Sequence, residues 1–177
     1  MKNTKVLLRI YLLVRKWLLF PFLMTRRTVS GGKEPIKRVL ILRYDRIGDM
    51  VLTTPLFESL KRHIPGCWIT VLASKVNQDV ISNNPFVDEV VLYQGAVKFM
   101  RDFRHKGIDL AIDPFYSYEL KSAFLAYISG AKYRVGFAES GREAFFNIKN
   151  PRPDPSKHMA DHLLSLLVPL AIKEDQM

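Results

Sequence analysis

Seven residues, Arg43-Tyr-Asp-Arg-Ile-Gly-Asp49, carry two carboxylates and two guanidinium groups directly behind the apolar run Val39–Leu42. Asp49 stands where a helix opens. An aspartate there can accept hydrogen bonds from first-turn N–H groups and act as a cap. It can equally act as a general base. The positive end of the helix favours its ionised form, which gives a mild base suited to taking a proton late in the attack of an alcohol. Asp45 has the same two readings. Arg43 and Arg46 can pair with these carboxylates or hold an anionic substrate through charge-assisted hydrogen bonds. Arg142, in Glu139-Ser-Gly-Arg-Glu143, is a third cation that either grips an anion or is simply solvated. His158 and Asp161 lie one helical turn apart. Two ligands are too few for a metal, and a cap or an interdomain contact fits them better.

Other chemistries are excluded by what the sequence lacks. The segment after Val39–Leu42 holds one glycine, so there is no G-x-G-x-x-G fingerprint, and no G-x-x-x-x-G-K-[ST] loop occurs. A single cysteine, Cys67, rules out a disulfide framework and a cysteine zinc cluster. The net charge of +10 is unevenly placed: residues 1–38 hold ten Lys/Arg and one acid, and the rest holds 17 bases against 16 acids. A nucleic-acid-binding domain needs clustered positive charge on the fold itself, so no nucleic-acid partner is expected.

The elements that must position these residues alternate in type. Val39–Leu42, Trp68–Ala73, Val87–Leu92, Leu110–Ile112 and Tyr133–Phe137 read as five buried strands. Between and after them, helices are expected over Met50–His63, Lys75–Ile81, Val97–His105, Tyr116–Ser129 and His158–Ile172. Pro55 falls early in the first of these and is expected to distort its first turn. The stretch Ala138–Lys157 reads as one long loop of about twenty residues. Strands alternating with helices give an α/β fold with a parallel sheet and right-handed crossovers. Ligands of such sheets bind outside the carboxyl ends of the strands, where Arg43–Asp49, Ala73–Lys75, Asp113–Ser117 and Phe137–Arg142 all fall.

Residues 1–27 are a separate unit, joined by a linker over 28–37. On a helix, Lys2, Lys5, Arg9 and Lys16 share a stripe roughly 60° wide against a broad apolar surface that includes Trp17. That pattern suits a helix lying in a membrane interface with its basic heads reaching anionic headgroups; the alternative is a helix packed on its own domain. Three interrupting charges, at about 2.5–3.5 kcal/mol each, weigh against a transmembrane span. They also break the apolar core that a signal peptide needs. The expected location is cytoplasmic, peripheral at the inner membrane.

The string Arg38-Val-Leu-Ile-Leu-Arg-Tyr-Asp-Arg-Ile-Gly-Asp-Met-Val-Leu-Thr-Thr-Pro55 resembles the opening of glycosyltransferase family 9, the ADP-heptose:lipopolysaccharide heptosyltransferases. Ile69–Ala73, Asn84–Val91, Tyr133–Phe137 and His158–Asp161 follow in the family's order, so the resemblance spans roughly residues 37–172. It implies the N-terminal, acceptor-binding half of a GT-B enzyme, with a Rossmann-like parallel sheet over 38–172. It also implies an inverting, metal-independent transfer from a nucleotide-sugar of the ADP-heptose class, with no further cofactor.

The resemblance implies Asp49 as general base. It implies Arg43, Arg46, Gly48 and Arg142 around the acceptor, with Thr53 and Thr54 one turn into the helix lining the same pocket. The implied partners are the lipopolysaccharide core or another anionic glycolipid, the cytoplasmic membrane surface and a separate donor domain. The sequence stops where the family's donor half begins, so the expectation is a truncated chain that needs that half for turnover. The alternative is a non-catalytic, membrane-attached module that binds an anionic glycolipid or a protein partner.

Overall fold

The strand β1 (Arg38–Leu42) is the centre of the molecule, and its side chains alternate between two buried faces. The computed structural model describes residues 35–116, 119–150 and 156–170. The proposed membrane helix, the linker up to residue 34, the Pro151–Pro155 run and the end of the last helix lie outside them. Val39 and Ile41 enter one apolar cluster, and Leu40 and Leu42 enter the other. All four are fully buried, each worth about 1.5–3 kcal/mol of apolar burial. A strand buried on both sides needs helices on both faces, and the remaining elements supply them.

Helix α1 (Ile47–His63) follows β1, and β2 (Trp68–Ala73) comes next. Then come β3 (Glu89–Leu92), α2 (Ala96–Phe103), β4 (Leu110–Asp113), α3 (Lys121–Ile128), β5 (Tyr133–Phe137), β6 (Ile148–Asn150) and α4 (Met159–Leu164). The six strands form one parallel sheet in the order β3-β2-β1-β4-β5-β6. Leu40 is in register with Thr70 on one side and with Ala111 on the other. Chain direction across the sheet therefore reverses between β1 and β4, which makes their carboxyl ends the topological switch point where such folds bind ligands.

One layer packs α1 and α4 on the face holding Val39 and Ile41; the other packs α2 and α3 on the face holding Leu40 and Leu42. In α1, Met50, Thr53, Leu56, Phe57 and Leu60 are buried, a spacing that keeps one side of the helix on the sheet. Lys61, Arg62 and His63 fill its last turn, where positive charge meets the negative end of the helix dipole.

Several expectations need correction. Helix α1 begins at Ile47, so Asp49 lies within its first turn, and Pro55 is accommodated mid-helix. Proline has no N–H for the Val51 carbonyl, and the Thr54 hydroxyl donates to that carbonyl at 2.8 Å instead. The helix expected over 75–81 is a short 3-10 turn, Gln78–Val80. Helix α3 begins at Lys121 rather than Tyr116. The supposed long loop contains a 3-10 turn at Arg142–Ala144 and the sixth strand. Within β5, a side chain at Gly136 would collide with the ring of the buried Phe146. This is the close approach that a glycine inside a strand permits.

Candidate functional site

At the carboxyl ends of β1 and β4 a cleft of about 380 Å³ opens. The β1–α1 turn supplies Arg43, Asp45, Arg46 and Asp49; the segment after β4 supplies Pro114, Phe115, Tyr116 and Glu119; Met159 of α4 closes one side. Sequence reasoning placed the first group here and put the segment Asp113–Ser117 at this end of the sheet, but it did not single out Glu119 or Met159.

Arg43 directly follows β1, with its guanidinium almost wholly buried, at 4% exposure. Its Nε donates to Thr53 Oγ1 at 2.9 Å, Nη1 to Asp45 Oδ2 at 3.0 Å and Nη2 to the Pro114 carbonyl at 3.4 Å. The Phe115 ring lies beneath it, 5.4 Å from the guanidinium carbon. Arg43 thus ties together both walls of the cleft. Thr53 is also fully buried, and its hydroxyl donates to the Asp49 carbonyl at 2.7 Å. The expectation that Thr53 and Thr54 line the pocket is therefore corrected: Thr53 braces the first turn of α1 from behind, and Thr54 serves the carbonyl above Pro55.

Behind the turn stands Asn77, which sequence reasoning missed. It is fully buried. Its amide donates to the carbonyls of Arg43 (3.0 Å) and Asp45 (3.4 Å), and its carbonyl accepts from the Ser74 N–H at 2.9 Å. The signal for it was a Ser-x-x-Asn spacing directly after β2. Tyr44 packs away from the cleft, stacked on Tyr93 at 4.7 Å and tilted on Phe115 at 5.1 Å. Its phenol is pushed well above the ordinary tyrosine value by burial first and by the Asp113 charge second.

Against this fixed background, two groups remain uncommitted. Asp49 is half-buried and Arg46 is exposed, and neither side chain makes a hydrogen bond or ion pair among the described residues. Asp49 does not cap its helix: the N-cap residue is Arg46, and no side chain serves there. Asp45 behaves differently. Burial raises its pKa above the usual aspartate value, Arg43 pulls it back, and the Asp49 charge adds to the rise. Gly48, between them, faces open space: a Cβ there would meet nothing within 4 Å.

Arg142 is not among the residues lining the cleft. It is 1% exposed, its Nη2 contacts Asp113 Oδ2 at 2.6 Å and Ser122 Oγ at 3.2 Å, and its Nη1 donates to the Glu119 carbonyl at 2.7 Å. Burial pushes the Asp113 carboxyl up, and the guanidinium opposes that push. The expected anion-gripping role is thus corrected to a buried pair that fixes both ends of the segment carrying the far wall. His158 caps α4, accepting from the Ala160 N–H at 3.2 Å. No cluster of three or more His, Cys, Asp or Glu suited to a metal occurs among the described residues. No helix among them is long and apolar enough to cross a membrane.

No family model matches the chain, and no curated protein matches it. Solved structures do. A glycosyl transferase family 9 protein from Veillonella parvula superposes with a TM-score of 0.70 at 23% identity, over 82% of this chain and 44% of that one. The E. coli ADP-heptose lps heptosyltransferase II gives 0.66 at 22%, over 73% and 39%. The E. coli heptosyltransferase WaaC with ADP-2-deoxy-2-fluoro heptose gives 0.68 at 19%, over 79% and 50%. The chain therefore has the Rossmann-like α/β fold found in these glycosyltransferases, and it spans half of their length or less.

Proposed function

We propose that this chain is the acceptor-side half of a heptosyltransferase-like glycosyltransferase, working with a donor-binding half. In this reading the cleft receives an anionic sugar acceptor of the lipopolysaccharide-core class, held at the cytoplasmic membrane surface. The observation that carries the reading is Asp49: a half-buried carboxylate at the switch point, in the first turn of α1, with no partner among the described residues.

The chemistry follows from that placement. The acceptor hydroxyl attacks the anomeric carbon of a nucleotide-sugar of the ADP-heptose class. The new carbon–oxygen bond forms as the bond to the diphosphate breaks, which inverts the anomeric centre, and Asp49 takes the hydroxyl proton. The first turn of α1 places that carboxylate in the cleft at the carboxyl end of β1. Arg46 meets the acceptor's phosphate or carboxylate groups at the rim. Arg43 holds Asp45, Thr53 and the Pro114 carbonyl in place, so Asp49 and the far wall keep a fixed separation. The displacement needs reacting atoms aligned at about 3–3.5 Å.

The test is a transfer assay with ADP-heptose and a lipopolysaccharide inner-core acceptor, with the donor-binding half supplied. Asp49→Asn should lower kcat by about 10²–10⁴-fold while acceptor affinity changes by less than about threefold, since the amide keeps the shape. Unchanged turnover removes Asp49 from the role. Saturable acceptor binding with no transfer by the unaltered protein points to the non-catalytic module instead.

A further inference from the structure

Helices α2 and α3 pack side by side on one face of the sheet, and their outward surface mixes large apolar side chains with basic ones. Val97 is 79% exposed, Met100 37%, Phe124 40% and Tyr127 41%. From α2 into its C-cap residue Arg104, the spacing Val97, Met100, Arg101, Arg104 places these four along one side. Arg101 and Arg104 are both exposed. The single acid of α2, Asp102, is bound to Lys98 at 2.6 Å and to the exposed Arg101 at 3.4 Å, and α3 contains no acid. Large apolar side chains set among arginines, without exposed carboxylates, match the boundary between acyl chains and anionic headgroups.

A second observation locates the same partner. The described chain begins beside the carboxyl end of α2: Arg38 Nη1 donates to the Lys106 carbonyl at 3.0 Å. The 34 residues preceding it carry eight Lys/Arg against one acid. The sequence leading into the described residues is therefore strongly basic. A second copy of the chain is a poorer occupant, because a two-fold contact would press Arg101 and Arg104 against their own equivalents.

We infer that the α2–α3 face is a docking surface for an anionic lipid bilayer, through which the folded domain itself contacts the membrane. The inference deepens the membrane part of the proposed function and is independent of the sugar chemistry, so either can fail without the other.

The test uses the full chain with an environment-sensitive fluorophore on Val97→Cys, and separately on Val168→Cys as a control. Val168 is 54% exposed and lies after α4, on the opposite layer; Cys67 is 2% exposed and stays unlabelled. With phosphatidylcholine vesicles containing phosphatidylglycerol, the label at position 97 should shift to the blue and brighten severalfold. It should not do so with phosphatidylcholine alone, and the label at 168 should not move in either case. Arg101→Glu with Arg104→Glu should weaken partition into the anionic vesicles by roughly thirtyfold or more. An unshifted label at 97 on vesicle-bound protein would overturn the inference, because the preceding segment would then be the whole anchor. So would an equal shift at 168. A shift without vesicles that grows with protein concentration would assign the face to a second copy.

Discussion

Among the described residues, two hollows lie at opposite ends of the sheet, and the larger of these two is not the one proposed to carry chemistry. At the amino ends, Lys37, Arg38, Trp68, Thr70, Glu89, Lys106 and Ile108 surround about 480 Å³. At the carboxyl ends the cleft holds about 380 Å³. In the larger hollow the polar groups answer one another: Lys106 Nζ and Thr70 Oγ1 both donate to Glu89, at 3.1 and 2.9 Å, and Arg38 donates to the Lys106 carbonyl. In the smaller one, Asp49 and Arg46 answer nothing among the described residues, while buried neighbours hold them in position. Volume measures where atoms are missing. A candidate site is better marked by polar groups that the fold positions and leaves uncommitted.

The comparison breaks first at its carboxylates. Asp49→Asn should cost transfer at least a hundredfold, as above, whereas Glu89→Gln in the same assay should leave kcat within about twofold; equal losses would erase the distinction. The next largest effect is on stability. Arg142→Ala leaves Asp113 as an unpaired buried carboxylate, and chemical denaturation should register a loss of about 3–5 kcal/mol. A loss below about 1 kcal/mol would mean that the pair does not hold the far wall.

Gly48 sharpens the contrast at smaller scale. Its backbone requires no glycine and its surroundings are open, so Gly48→Ala should raise stability by about 0.5 kcal/mol. The family resemblance puts Gly48 beside the acceptor, so the same methyl group should lower acceptor affinity several-fold. Stability and binding moving together would contradict that placement.

The smallest effect is a difference of sign with pH. The pKa of Asp45 in the cleft is raised, mainly by burial, so its carboxyl keeps a proton to higher pH in the folded than in the unfolded chain. The stability this contributes is present in acid and is lost as pH rises through the raised value. Burial pushes Glu89 up as well, but hydrogen bonds from Lys106 and Thr70 and the charge of Lys106 outweigh it and hold it below 4.5. Its contribution stands at neutral pH and is lost as pH falls through the lowered value. At its part-exposed position this amounts to less than about 1 kcal/mol. Denaturation midpoints of Asp45→Asn and Glu89→Gln against pH should therefore diverge from the unaltered protein in opposite directions.

The sheet was legible because five of its strands are apolar runs bounded by turn residues, a signal carried within each segment. Strand β6 was not: Ile148-Lys-Asn150 is short, has one apolar residue and precedes a proline, so only its pairing with Val135–Phe137 makes it a strand. The site divides in the same way. Arg43, Arg46 and Asp49 lie within one turn and could be read together. The partners of Arg142 could not, since Asp113 is 29 residues away and nothing local shows that the two meet. Thr53 and Thr54 look like pocket residues by position, yet their hydroxyls answer backbone and guanidinium needs created by Pro55 and by the burial of Arg43.

The most direct measurement of the central claim is a backbone amide NMR titration of the full chain with a lipopolysaccharide inner-core oligosaccharide. The account predicts saturable shifts over Asp45–Met50 and Phe115–Tyr116, with the amides of Lys37, Thr70, Glu89 and Lys106 unmoved. Saturable shifts confined to that second group would put the ligand in the larger hollow and contradict the assignment of the cleft.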